Sequence, residues 1–154
     1  MSPLDVTDCP YYLISRATLA MTSALKASLA AAGLDHIRPA YLGILMSLWQ
    51  EDGLRAVELS RRAGLEPSTI TGLLDRMERD GLAERRADPE DRRALRIHLT
   101  ERGRQARDAV EAVVLHTMAD NTRDISDDEL ERLKATLRKV LANAHAPQKG
   151  AKDV

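Results

Sequence analysis

AVELSRRAGLEPSTITGLLDRMERDGLAERRADPEDRRALRIHLT, residues 56–100, decides the fold. It opens with a short helix carrying apolar Val57, Leu59 and Ala63, which runs into Gly64, a residue that closes helices by taking a positive φ. Pro67 then stands where the first position of a second helix tolerates a missing N–H. Ile70, Leu73, Leu74 and Met77 recur at i, i+3, i+4 and i+7, one apolar stripe. The opposite face carries Ser68, Thr69, Gly72, Asp75, Arg76 and Arg79, small or polar groups that can approach a nucleic-acid groove closely. Two helices joined by a short turn containing Gly form the helix-turn-helix pattern, whose second helix enters the major groove.

Beyond that helix, Leu82–Arg86 is a short extended run, and Leu95, Ile97 and Leu99 alternate with Arg96 and His98 at the period of a half-buried strand. Between them Ala87–Ala94, with Pro89 and a run of charges, reads as a hairpin loop too polar to pack. The hairpin is a wing in which Arg85, Arg86, Arg92, Arg93 and Arg96 stand against Asp88, Glu90 and Asp91. A guanidinium at a hairpin tip suits the narrow minor groove, whose negative potential attracts it.

Gly-Leu-Ala-Glu-Arg at 81–85, Asp-Pro-Glu-Asp-Arg-Arg at 88–93 and His-Leu-Thr-Glu-Arg-Gly at 98–103 together resemble the wing of the MarR family of bacterial winged-helix regulators. Pro-Ser-Thr-Ile-Thr at 67–71 and Leu-Asp-Arg-Met-Glu at 74–78 resemble that family's recognition helix. The motifs fall within residues 36–103, and the flanking helix pattern extends the likeness over nearly the whole chain. The resemblance implies a sequence-specific, DNA-binding transcriptional regulator, a repressor that binds a pseudo-palindromic operator as a homodimer. It also implies that Arg76 pairs with Asp91, bracing wing against helix, and that Arg93 enters the minor groove with Arg92 beside it. Ser68, Thr69 and Thr71 open the recognition helix, where N–H groups and hydroxyls reach phosphates and base edges. For Thr71 an internal helix bond is the alternative use. Arg61 and Arg62 read as solvated charge rather than DNA contacts.

The bulk of the chain is consistent with one compact domain plus interaction helices. Of 154 residues 44% are hydrophobic and 31% charged, while aromatics are 3% with no Phe, so the core must be Leu, Ala, Val and Ile. A net charge of −1 excludes a generally basic coat, and any DNA-binding charge must be local. One Cys excludes an internal disulfide and fits a reducing compartment. No apolar run approaches a membrane span and no signal peptide opens the chain, which predicts a soluble, cytoplasmic protein without membrane partners.

Residues 1–9 read as a loose arm. Tyr11 to about Ala32 is a long helix stopped by Gly33, apolar on more than one face through Leu13, Ile14, Ala17, Ala20, Met21, Ala24 and Leu25, which calls for two partners. Arg38–Gln50 is a second helix, entered through Pro39, with Tyr41, Leu45, Leu48 and Trp49 buried; Gly53-Leu54-Arg55 supplies a third strand. Thr100 caps a helix running to about Asn121, with Ala106, Val110, Val113, Val114 and Met118 inward. Ser126–Glu129 is a capping box before Leu130, Leu133, Leu137, Val140 and Leu141 at helical spacing. The expected architecture is α+β and mostly α: a winged helix-turn-helix with N- and C-terminal dimerisation helices, six helices and a β-hairpin. Its parts are an arm and dimerisation helix at 1–35, the DNA-binding domain at 36–100, dimerisation helices at 101–146 and a disordered tail at 147–154. A twofold dimer would pool the helices that lack an apolar partner.

Other chemistry is sparse. His36, His98, His116 and His145 are scattered without metal-ligand spacing, and neither a catalytic constellation nor a phosphate loop can be read, so no metal, cofactor or enzymatic activity is expected. Some members of the family that the chain resembles bind aromatic acids between helices one, two and five. Here that region offers Tyr11, Tyr12, Arg16, His36, Arg38 and Tyr41 to an aromatic or phenolic acid. Arg16, in a stretch otherwise poor in charge, needs an anion, either a ligand carboxylate or a structural one from a partner chain. The alternative form of control is a thiol switch at Cys9, since peroxide-sensing members carry a reactive Cys near this point and a helix N-terminus can activate a thiol.

Overall fold

A computed structural model describes residues 5–145 of the chain; the tail expected at 147–154 lies outside the described residues, and the arm is described only from Asp5. After a 3-10 turn at Val6–Asp8, α1 spans Pro10–Ala31, with a proline in its first turn. Only Leu25 and Leu29 of this helix are buried, so its second half belongs to the core and its first half does not.

The expected helix Arg38–Gln50 begins later. Pro39–Tyr41 is a 3-10 turn, with Tyr41 N–H donating three residues back to Arg38 C=O at 2.8 Å, and α2 follows at Leu42–Gln50. Tyr41, Leu45 and Leu48 are buried as expected. Trp49 is half-buried, and its indole N–H donates to Gly103 C=O at 2.9 Å.

Next come β1 (Leu54–Arg55), α3 (Ala56–Ala63) and α4 (Pro67–Arg79). Arg55 N–H donates to Glu58 Oε2 at 3.1 Å, satisfying a donor at the start of α3. Gly64 ends the helix at φ +65°, with its own N–H on Arg61 C=O and Leu65 N–H on Ser60 C=O at 2.9 Å. That left-handed residue turns the chain sharply enough for Pro67 to start α4 three residues later. Leu59 of α3 and the α4 stripe Ile70, Leu73, Leu74 and Met77 share one core with α2, whereas Val57 is exposed.

β2 (Ala83–Ala87) and β3 (Leu95–Leu99) pair antiparallel, Arg85 opposite Ile97, and β1 pairs with the other edge of β3, so the sheet order is β1-β3-β2. Ile97 and Leu99 face the core as the alternation predicted. The third strand expected at Gly53–Arg55 is present.

Thr100 caps α5, accepting Gly103 N–H at 3.1 Å. α5 is jointed: it covers Glu101–Gln105 and resumes after Ala106 as Arg107–Asn121, with backbone bonds from Ala106 N–H to Arg102 C=O and from Val110 N–H to Ala106 C=O crossing the joint. Ala106 and Val110 are buried, and Val113 and Val114 pack against the core. α6 is Asp127–His145, opened by the expected capping box, with Ser126 N–H on Glu129 Oε2 at 3.0 Å. None of its residues is buried. The described residues therefore form six helices and a three-stranded sheet. The chain divides into two compact units, one reaching Thr117 and the other beginning at Met118.

Gly103 is where the wing's end meets this frame. A Cβ there would lie 2.1 Å from Leu82 C=O, a backbone atom with no rotamer to yield. In an open helix Gly→Ala gains about 1 kcal/mol, but the clash here is the larger effect, and overpacking of this kind costs roughly 1–3 kcal/mol. Gly103→Ala should therefore lower the urea midpoint; an unchanged or raised midpoint would show that α5 and the Gly81–Leu82 turn can separate freely.

Candidate nucleic-acid interface

The exposed face of α4 is built by exclusion: with the apolar stripe committed to the core, Ser68, Thr69, Thr71, Asp75, Arg76 and Arg79 are left in solvent. Thr71 Oγ donates weakly to Pro67 C=O at 3.4 Å, the internal helix bond weighed above. Arg76 and Arg79 lie back along their own helix, their Nε groups donating to Gly72 C=O at 3.1 Å and Asp75 C=O at 3.4 Å. Among the described residues Ser68 and Thr69 have no side-chain partner, so their hydroxyls stand open in the first turn, where Thr69 and Ile70 N–H donate to Glu66 C=O at 2.9 and 3.1 Å.

In the wing, strand pairing sets Arg55 of β1 opposite Arg96 of β3, two guanidinia side by side. Asp88 lies between them with a side chain of zero exposure. Arg55 donates to its Oδ2 from Nε at 2.9 Å and from a terminal nitrogen at 2.6 Å, and Arg96 Nε lies 3.0 Å from the same oxygen. Oδ1 accepts Glu90 N–H at 3.0 Å. That backbone donor and the Arg55 fork, with Arg96 behind them, hold the Asp88 carboxyl down at about 2. The loop is thus not too polar to pack: Asp88 is among the most buried residues, because each of its oxygens is matched. Asp88 N–H to Ala94 C=O (3.0 Å) and Ala94 N–H to Asp91 C=O (2.9 Å) close the loop over it.

The wing is tied to α4 by Arg85. Its N–H donates to Glu78 Oε1 at 2.9 Å, and its guanidinium pairs with Glu78 and, at 2.8 Å, with Asp75. This corrects the bracing pair Arg76–Asp91 that the resemblance implied. Arg76 curls onto Gly72 of its own helix, and Asp91 Oδ1 accepts Arg93 N–H at 3.0 Å, shaping the wing tip instead. Arg86 pairs with Glu84 on its own strand. Arg92 and Arg93 remain exposed, and among the described residues neither guanidinium has a partner. Of the five wing arginines, three are committed to carboxylates and two point to no protein acceptor. Arg55 and Asp88 were missed as organising residues; the available signal was a predicted strand carrying Arg55 beside one carrying Arg96, which demands a carboxylate between them.

The residues predicted for an effector are brought together only in part. Tyr41 is buried and its hydroxyl donates to Asp80 Oδ2 at 2.7 Å, at the end of α4. Arg38 Nε lies 3.7 Å from the same oxygen, with its guanidinium carbon 5.9 Å from the centre of the Tyr41 ring. His36 is half-buried before Pro39, whereas Tyr11, Tyr12 and Arg16 are exposed in the first turns of α1. Cys9 is half-buried at the start of α1, and no contact favours a thiol switch over ligand response. Among the described residues no three His, Cys, Asp or Glu side chains gather as a metal site, and no helix is long and apolar enough to cross a membrane.

Comparison with known proteins follows the same lines. The MarR family model matches residues 38–95. The HTH-type transcriptional regulator SarZ of Staphylococcus haemolyticus is 33% identical over 100 residues, 65% of this chain and 67% of SarZ. TtmR of Methylorubrum extorquens, also an HTH-type transcriptional regulator, is 34% identical over 108 residues, 70% of this chain; the match spans 54% of TtmR, about half its length. Among solved structures, CouR of Rhodococcus jostii RHA1 bound to p-coumaroyl-CoA superposes with a TM-score of 0.74 at 28% identity, covering 96% of this chain and 100% of CouR.

The Asp88 lock has a pH signature. Its carboxyl sits below the ordinary 3.8, so the stabilisation it lends is fully present above about pH 4 and is lost as pH falls toward about 2. Asp88→Asn should lower the thermal midpoint at neutral pH and flatten its fall between those values. Identical acid limbs for the two proteins in pH-dependent melting would contradict the lock.

Proposed function

The chain belongs to the MarR family of DNA-binding transcriptional regulators, and from that membership we propose that it acts as a homodimeric repressor of a pseudo-palindromic operator, released by a small aromatic or phenolic acid and catalysing no reaction. The observation that carries this reading is the division of the wing arginines, which leaves Arg92 and Arg93 without partners among the described residues at the tip of a hairpin locked from beneath. In this reading Arg93 enters the minor groove and Arg92 follows the backbone. Ser68, Thr69 and Thr71 contact phosphates and base edges, with Arg76 deeper on the same face of α4.

Exposed apolar side chains support the dimer. α1 leaves Tyr11, Leu13, Ile14 and Leu19 in solvent, α5 leaves Leu115 at 71% exposure, and α6 leaves Leu133, Val140 and Leu141. In this reading the partner copy covers these side chains. A twofold axis gives each half-site one recognition helix, with the two half-sites one DNA turn apart.

For the effector, the residues proposed are Tyr11, Tyr12, Arg16, His36, Arg38 and Tyr41. The Tyr41–Asp80 bond offers a route from the start of α2 to the end of α4. CouR, a relative in fold, was solved with p-coumaroyl-CoA, which supports an aromatic ligand. Release follows from differential affinity for a state whose recognition helices are wrongly spaced, and tenfold derepression needs about 1.4 kcal/mol of it.

Arg93→Ala should weaken operator binding while leaving the fold intact. At roughly 1–3 kcal/mol per half-site the loss for a dimer is about 30-fold or more, and undiminished affinity in a band shift at moderate salt would remove the wing from the interface. Sedimentation should give twice the 17.0 kDa chain mass at micromolar concentration. A monomer would end the dimer reading.

A further inference from the structure

Gly72 stands in the middle of α4, with Ser68 and Thr69 one turn before it and Asp75 and Arg76 one turn after. Nothing inside the protein asks for a glycine there. Only proline is a poorer helix former, and the backbone at this position is ordinary helix, without the positive φ that would call for glycine. The other helical glycines have packing reasons. A Cβ on Gly43 would lie 3.1 Å from Ala63 Cβ, and one on Gly103 would lie 2.1 Å from Leu82 C=O. A Cβ on Gly72 would meet a single neighbour, a terminal nitrogen of Arg76 at 3.8 Å, which is ordinary contact. The helix gives up stability at this position and keeps the space above its axis empty.

Gly72 is half-buried, and Arg76 folds back toward it, Nε donating to Gly72 C=O at 3.1 Å. That bond is exposed and its acceptor already serves the α4 ladder, so little holds the guanidinium down. Once Arg76 turns out to a phosphate or a base edge, the bare methylene of Gly72 is uncovered. The N–H and C=O of this residue are spent within the helix, so the surface it presents has neither donor nor acceptor. Among the groups that base pairs show in the major groove, the apolar one is the C5 methyl of thymine.

We propose that Gly72 is a specificity-determining residue, which lets the backbone of α4 press against the C5 methyl of one thymine in each half-site. A side chain at this position would hold the helix off that methyl. The hydroxyls of Ser68 and Thr69, one turn away, are then close enough to read neighbouring base edges. The assignment rests on the DNA-binding reading and names a base within it.

The intact protein is compared with Gly72→Ala. The urea midpoint of the variant should equal or exceed that of the wild type, since alanine fits and favours helix. A lower midpoint would show that the fold needs the glycine and would overturn the proposal. For DNA, duplexes with a randomised core are selected on the wild type, and the selected duplex is the probe. Gly72→Ala should bind it about tenfold more weakly, the worth of one mismatched base pair, with unchanged affinity for an unselected duplex. Each thymine position of the selected half-sites is then replaced in turn by deoxyuridine, which lacks only the methyl. At one position the replacement should weaken the wild type about fourfold, the worth of one buried methyl. The same replacement should restore Gly72→Ala, whose own methyl fills the space. Equal binding of the selected duplex by both proteins would overturn the role of Gly72, and a loss that deoxyuridine restores at no position would overturn the thymine. A wild type that selects no sequence would instead remove the DNA-binding reading, and this assignment with it.

Discussion

A carboxylate shut off from water with two guanidinia on one of its oxygens is the constraint on which the wing depends. An ion taken into a protein interior loses its hydration, and the loss is recovered only if every lone pair finds a donor in good geometry. Asp88 meets that condition through Arg55 from β1 and the Glu90 N–H from the loop itself, while Arg96 from β3 adds its charge 3.0 Å away without a well-aligned hydrogen bond. The gain lies in uniqueness of conformation. A polar loop with no apolar side chain to bury would sample many shapes, and the requirement to satisfy one buried carboxylate selects among them.

The same economy recurs where the hairpin rejoins the helices. Thr100 Oγ donates to Gly81 C=O at 2.6 Å and accepts Gly103 N–H, while Asp52 and Arg104 grip Leu99 from either side. With Arg85 held by Glu78 and Asp75, the strands of the wing are fastened by hydrogen bonds in addition to the apolar contacts of Ala83, Ile97 and Leu99 with the core. The apolar core, rich in leucine and isoleucine and almost without aromatics, sets the placement of α2, α3 and α4; the polar contacts set the attitude of the wing upon them.

Local signals explain what could be read from the sequence. Gly64, Pro67 and the Ile70–Met77 stripe each act within a few residues, and their geometry appears where they predict it. The alternation of Leu95, Ile97 and Leu99 gave the strand and two of its three inward side chains; Leu95, beyond the edge of the core, is exposed. Contacts distant in sequence were not legible in the same way. Arg55 and Asp88 are 33 residues apart, and a charge in a polar loop looks solvated until its partners are known. The start of α2 slipped because Pro39 and the Tyr41 bond to Arg38 favour one tight turn first. For the interface, the types of residue were legible, but which arginines were free was decided by ion pairs that only the fold brings into reach.

That division of arginines has a consequence for how the protein meets DNA it is not meant to bind. Each phosphate neutralised by a cation releases counterions, and affinity falls with salt by a slope of about 0.9 per contact on duplex DNA. Among the described residues the wing keeps two guanidinia uncommitted, so the wing itself has few such contacts to offer. In the proposed reading the wing therefore adds little to the hold on arbitrary sequence, and discrimination rests on the face of α4.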